Sequence, residues 1–159
     1  MPGPEFPHLP SEEPSEEDSL IQFFSEDVDF ELVDSIPVSK WLLRVIVQEG
    51  KELNALSFIF CSDEYLLRLN TEYLQHDTYT DVITFPYAEG PVVEGDIFIS
   101  VERVKENALV FQSAFDRELC RVMVHGVMHL CGYGDKTPEE QSEMREKENE
   151  YIRLWEEIA

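Results

Sequence analysis

Two histidines four residues apart, a glycine three positions after the second and an aspartate three positions after that fill the stretch His125-Gly126-Val127-Met128-His129-Leu130-Cys131-Gly132-Tyr133-Gly134-Asp135. On a helix, residues four apart lie about one turn, ~6 Å, up the same face. Two imidazoles so placed can reach one cation at roughly 2.0–2.1 Å. The preceding Leu119-Cys120-Arg121-Val122-Met123-Val124 is apolar enough for a buried helix, which makes the platform rigid. Gly132 permits a left-handed turn, so the chain can fold back over the helix end and bring Asp135 to a third corner. Three protein ligands leave one zinc position for water, the arrangement of a catalytic site, whereas structural zinc sites fill all four. The expected metal is one Zn²⁺ per chain held by His125, His129 and Asp135, with another divalent ion as the alternative. Cys131 is a possible fourth ligand, but it lies about 200° around the helix from His129 and should point away.

The rest of the chain must supply a scaffold around that helix. Leu20–Ser25 and Ala55–Cys61 read as strands, and Val82–Phe85 and Asp96–Ile99 as two more, separated by a Gly/Pro loop. Pro37 to Gln48 carries Trp41, Leu42, Val45 and Ile46 at helical spacing and stops at Gly50. Ser62 and Asp63 are N-cap types for a helix bearing Leu66, Leu67, Leu69 and Tyr73. Val101–Phe111 and Asp116–Cys131 follow as helices. The last helix opens with Thr137 as N-cap, Pro138 at the first helical position and Glu140 three residues after the cap, a capping box. Strands come mostly first and helices last. This predicts an α+β fold: a small mixed sheet of about four strands packed by helices, with the metal site on a central helix and the following turn.

Residues 1–19, with five prolines among acidic side chains, read as a disordered leader and not a signal peptide; residues 20–159 read as one domain. No apolar run approaches the roughly 18–20 residues of a membrane span. Three cysteines at unrelated spacings suit a reduced, cytoplasmic protein. The 34 acidic residues against 12 basic ones, a net charge of -22, produce a field that repels polyanions. That disfavours a DNA-coating or membrane-surface role, and any nucleic-acid chemistry has to rest on a local basic patch or a metal.

Among metallohydrolases, the H-x-x-x-H-x-x-G-x-x-(H/D) spacing suits a peptidase, but the position after the first histidine, where such enzymes carry a glutamate base, is Gly126. Arg121 and Arg117, four and eight residues before His125, are candidate phosphate contacts; their bland alternative is pairing with nearby acids such as Asp116 and Glu118. His76 and Asp77 suit either a cleft rim or loop capping. Asp81 and Asp96 flank strands, where satisfying backbone groups is the expected role.

The same residues carry a resemblance. His125 to Asp135, together with Leu69-Asn70-Thr71-Glu72-Tyr73, Thr80-Asp81-Val82-Ile83-Thr84-Phe85-Pro86 and Gly95-Asp96-Ile97-Phe98-Ile99-Ser100, resembles the motif series of the YbeY family across about residues 62 to 150. The resemblance implies a metal-dependent, single-strand-directed endoribonuclease of ribosomal RNA maturation, acting at the small-subunit 3′ end and in ribosome quality control. It further implies ribosomal RNA and the ribosome or its proteins as partners. His125 and His129 match two of the family's three zinc ligands; the third, commonly histidine, is Asp135 here. The residue after the L-N-x-x-Y tyrosine, often an arginine in the family, is Leu74. That departure and the acidity suit a rival role as a non-catalytic assembly factor with a structural metal.

Overall fold

The computed structural model describes residues 20–76 and 78–158. The leader and Asp77 lie outside the described residues. The elements follow in the order β1 (Ile21–Ser25), α1 (Ser35–Gln48), β2 (Glu52–Cys61), α2 (Asp63–Leu74), β3 (Val82–Pro86), β4 (Val92–Ser100), α3 (Val101–Val110), α4 (Phe115–Leu130) and α5 (Pro138–Ile158). The sheet order is β1-β2-β4-β3. β1, β2 and β4 run parallel, and β3 pairs antiparallel with β4 at its outer side. The fold is therefore α+β with a mixed four-stranded sheet, as expected from the residue pattern.

Period-two alternation divides the strand side chains between two cores. Phe58, Phe60, Val93, Ile97 and Ile99 face a large core with Trp41, Val45, Val124 and Val127 from α1 and α4. Cys61, Ile83, Phe85 and Phe98 face a smaller one with Leu66 and Leu69 of α2. α4 is buried almost throughout its length, between the sheet and α5. Gly126 is what allows so close an approach: a Cβ there would meet Ile97 side-chain carbons at 2.9 Å. Gly95 serves the same contact from the sheet, where a Cβ would stand 2.6 Å from the Phe85 carbonyl oxygen and 2.9 Å from Leu130.

Several boundaries differ from the pattern-based ones. β2 begins at Glu52 and β4 at Val92, because pairing between their first halves extends both strands past the apolar runs. α1 begins at Ser35, with Pro37 inside its first turn, where a missing N–H costs no intrahelical bond. The capping box forms as expected: Glu140 N–H donates to Thr137 Oγ1 at 3.1 Å, and Thr137 N–H to Glu140 Oε1 at 3.0 Å. Cys61, Cys120 and Cys131 are buried and free. No helix among the described residues is long and apolar enough to cross a membrane.

Candidate metal centre

The last two turns of α4 carry the histidines, and the turn after the helix carries the acid. His125 Nε2 and His129 Nε2 lie 3.1 Å apart, with Asp135 Oδ2 3.2 Å from His129 Nε2 and 3.4 Å from His125 Nε2. Three ligands on a tetrahedron around zinc, at 2.0–2.1 Å each, stand roughly 3.3 Å from one another. The triangle has the size of a zinc coordination face.

The far side of each imidazole decides the tautomer. His125 Nδ1 lies 2.8 Å from Glu148 Oε2, and His129 Nδ1 lies 2.9 Å from the Tyr133 carbonyl oxygen. A carboxylate and a carbonyl can only accept, so both Nδ1 atoms donate. In the neutral rings the proton is thus at Nδ1, and each Nε2 presents a lone pair to the other and to the Asp135 carboxylate. Three electron-rich atoms converging at such distances form a group that could hold a cation. This is the donor set that a divalent metal takes, with carboxylate and carbonyl partners holding the rings from behind.

Glu148 was not legible as a site residue, yet it is the most buried charge at the centre, only 6% of its side chain being exposed. It also accepts from Arg121 Nη1 at 3.1 Å. Burial opposes its ionised form, but the hydrogen bonds and charges of His125 and Arg121 outweigh that and hold its carboxyl below the usual range. For His125, burial likewise opposes the charged form. Glu148, with help from Asp81 and Asp135, overcomes it and raises the pKa above the ordinary histidine value. The sequence signal that could have revealed Glu148 is its place in the apolar stripe Met144, Glu148, Tyr151 and Ile152 of an otherwise charged helix.

The turn that delivers Asp135 is fixed at several points. Gly132 has φ +107°, a conformation that L side chains rarely adopt. A Cβ on Gly134 would stand 2.6 Å from the Glu140 carboxylate, which caps the start of α5 by accepting from Lys136 and Thr137 N–H. Gln141 Nε2 donates to the Asp135 carbonyl at 3.1 Å. Tyr133, whose carbonyl holds His129, donates its hydroxyl to Glu49 Oε1 at 2.6 Å. Glu49 also accepts from Lys147 and from the Tyr151 hydroxyl. Burial works against charge on Glu49, and these three donors reverse it, so its pKa is lowered.

The triangle opens into a cleft of about 780 Å³ between the outer strand β3 and the Asp135–Lys136 turn. Leu74, His76, Thr80, Asp81 and Lys136 line it, so His76 is at the cleft rim. Asp81, expected to satisfy backbone groups, has its carboxylate hydrogen-bonded to its own backbone N–H; it also lines this cleft and accepts from Asn107 Nδ2 at 3.3 Å. Asp96 accepts from the Tyr87 hydroxyl at 2.7 Å. Arg121 has its guanidinium on Glu148 and Glu118, the latter at 3.4 Å, and Arg117 pairs with Glu156 at 3.5 Å, outside the cleft lining. Cys131 packs into the main core, where burial pushes its thiol up to about 11, and it does not join the converging ligands. Gly126 faces Ile97 in the sheet, so its position offers no room for a glutamate base beside the triangle.

The chain is similar to known proteins over most of its length. The family model described as Endoribonuclease YbeY matches residues 23–156. A protein of Christiangramia forsetii named Endoribonuclease YbeY is 51% identical over 135 residues, covering 85% of this chain and 94% of the relative. One of the same name from Amoebophilus asiaticus is 52% identical over 133 residues, covering 83% of this chain and 90% of the relative. A solution structure of a Thermotoga maritima protein superposes with a TM-score of 0.64 at 29% identity, covering 85% of this chain and 88% of that one.

Proposed function

The chain belongs to the YbeY family, and from that premise we propose that it is a metal-dependent hydrolase cleaving phosphodiester bonds of single-stranded RNA. Its place, on this reading, is in the cytoplasm, in ribosomal RNA maturation at the small-subunit 3′ end and in ribosome quality control. The observation that carries the chemistry is the convergence of His125 Nε2, His129 Nε2 and Asp135 Oδ2 within 3.4 Å, with both Nδ1 atoms committed elsewhere. A divalent ion bound there, zinc being the best fit to two imidazoles and a carboxylate, supplies Lewis-acid polarisation of a phosphoryl oxygen and a water of lowered pKa.

The chain's own groups do the positioning. Glu148 and the Tyr133 carbonyl hold the imidazoles with their lone pairs inward. Asp135 contributes a negative charge, which moderates the positive charge offered to a phosphate. Lys136, on the cleft wall beside the His76 rim, is a cationic side chain available to backbone phosphates; the position often filled by arginine holds Leu74. Asp81, facing His125, is a carboxyl whose burial raises its pKa, with His125 opposing. Arg121, locked onto two carboxylates, supports Glu148 on this reading and reaches phosphate only if that pairing breaks.

One observation favours a second reading. The net charge of -22 suits basic ribosomal proteins better than naked RNA, so an assembly factor with a structural metal is the alternative.

Elemental analysis of the purified chain, with His129→Ala and Asp135→Ala beside it, is the first test. Near one zinc per chain, lost in both variants, is expected, followed by cleavage of a single-stranded ribosomal RNA fragment that His125→Ala abolishes. Equal cleavage by wild type and His125→Ala overturns the metal's role in catalysis. Full metal content without cleavage, and ribosome binding intact in all variants, favours the assembly factor.

A further inference from the structure

Next to His125 lies a second cavity of about 240 Å³. The main cleft and this cavity both include His125, Asp81 and Val82 in their lining, so they adjoin at a residue of the candidate metal triangle. Phe111 lines the smaller cavity and is 65% exposed. Its neighbours Leu109 and Val110 are 81% and 70% exposed, which makes a run of apolar residues that folding leaves in water. The backbone beneath the ring is nevertheless fixed. Phe111 N–H donates to the Asn107 carbonyl at 2.9 Å, Ser113 N–H donates to Ala108, and Gln112 takes a left-handed conformation at φ 53°. An exposed aromatic ring on a rigid helix end is a platform of low conformational cost.

The charges around the cavity select the ligand. Its inner wall carries Glu118, Glu148 and Asp81, which repel a phosphate. Those charges are compensated internally: Arg121 pairs with Glu118 and Glu148, and Arg145 reaches Glu148 at 3.7 Å. A further cation gains little there and an anion is opposed. What fits is a neutral planar group with N–H donors for the carboxylates and a π-face for Phe111. The volume is below that of a pocket for a drug-sized ligand, so it admits one such ring system and not a whole nucleotide chain.

We propose that this cavity is a base-binding subsite, taking one nucleobase of single-stranded RNA on the Phe111 ring when an adjoining phosphate lies at the His125–His129–Asp135 triangle. The inference rests on the function proposed above and deepens it. Asn107 and the exposed Arg145 supply donors at the edge of the base. The acidity of the chain then ceases to be an obstacle at this point, because stacking, not charge, supplies the local affinity.

The test uses the zinc-loaded full chain with single-stranded RNA carrying one abasic site, moved nucleotide by nucleotide. Base–aromatic stacking is worth about 1–3 kcal/mol per base, so Phe111→Ala should weaken RNA binding by about 5- to 150-fold. Phe111→Trp should restore it. Leu109→Ala, on the same exposed run but outside the cavity lining, should leave binding unchanged, as should metal content and melting temperature in all three. One abasic position should weaken wild-type binding while costing Phe111→Ala nothing further. Equal RNA affinity of wild type and Phe111→Ala overturns the subsite, whether or not cleavage is seen. A Lys/Arg-rich peptide that binds wild type, displaces the RNA and loses affinity in Phe111→Ala also overturns it, in favour of a protein ligand. RNA that wild type neither binds nor cleaves removes the proposed function and the subsite together.

Discussion

The two histidines of the candidate metal centre are one helical turn apart, yet the regions behind them are built differently. Behind His125 stands a buried carboxylate, Glu148, delivered by α5 and braced by Arg121. Behind His129 stands a backbone carbonyl, Tyr133, delivered by the turn that directly follows the helix. The first support is a full charge in a dry place, strong and costly to disturb. The second is a dipole whose position depends on backbone geometry. One half of the site therefore depends on packing between α4 and α5, and the other on local conformation at Gly132 and Gly134.

Removing the charge should have the largest effect. Glu148→Ala leaves His125 unsupported and Arg121 short of a partner, and loss of about 3–5 kcal/mol of stability is expected, with roughly 10- to 100-fold weaker zinc binding. Denaturant unfolding with and without zinc measures both; retained stability in the alanine variant would mean that the two halves are supported alike. Next comes the turn. Gly132→Ala forces a side chain into φ +107° and should cost about 1–3 kcal/mol, weakening zinc binding by way of His129 and Asp135. A loss as large as that of Glu148→Ala would erase the distinction between charge and dipole.

A smaller effect depends on pH. Glu49 anchors the Tyr133 turn, and its folded pKa is lowered. Stability from a depressed carboxyl is present above its unfolded pKa and lost as pH falls through the folded one. Acid unfolding of wild type should thus show a contribution that Glu49→Gln lacks, with the variant about 1–3 kcal/mol less stable near neutrality and closer to wild type toward pH 3. A constant difference across that range would show that the carboxylate's charge is not what holds the turn. Arg117→Ala should do least. Its ion pair with Glu156 is about half exposed on both sides, so a change within about 1 kcal/mol and unaltered zinc affinity are expected from the same titrations.

Much of the candidate site is legible in the order of residues. Helical periodicity fixes His125 and His129 on one face, Gly132 marks where the chain reverses, and Asp135 follows at a spacing that only a turn can close. The capping box at Thr137 and Glu140 is equally local, because each of its hydrogen bonds joins residues three apart. Local interactions are written in the order of residues, and sequence reading recovers them for that reason. The lengthening of β2 and β4 was not recoverable, since each extra residue is held by the other strand.

The partners that set the chemistry belong to that second kind. Glu148 reaches His125 across 23 positions, and Glu49 reaches Tyr133 across 84. The fate of Arg121 is open on the residues alone, because nearby acids and a bound phosphate are equally suitable partners for a guanidinium. Burial of Glu148 beside it decides for the ion pair. The sequence determined which side chains converge at the candidate metal site. Only the tertiary structure decided which nitrogen of each ring faces it, because a tautomer is fixed by the group behind the ring, and that group comes from packing.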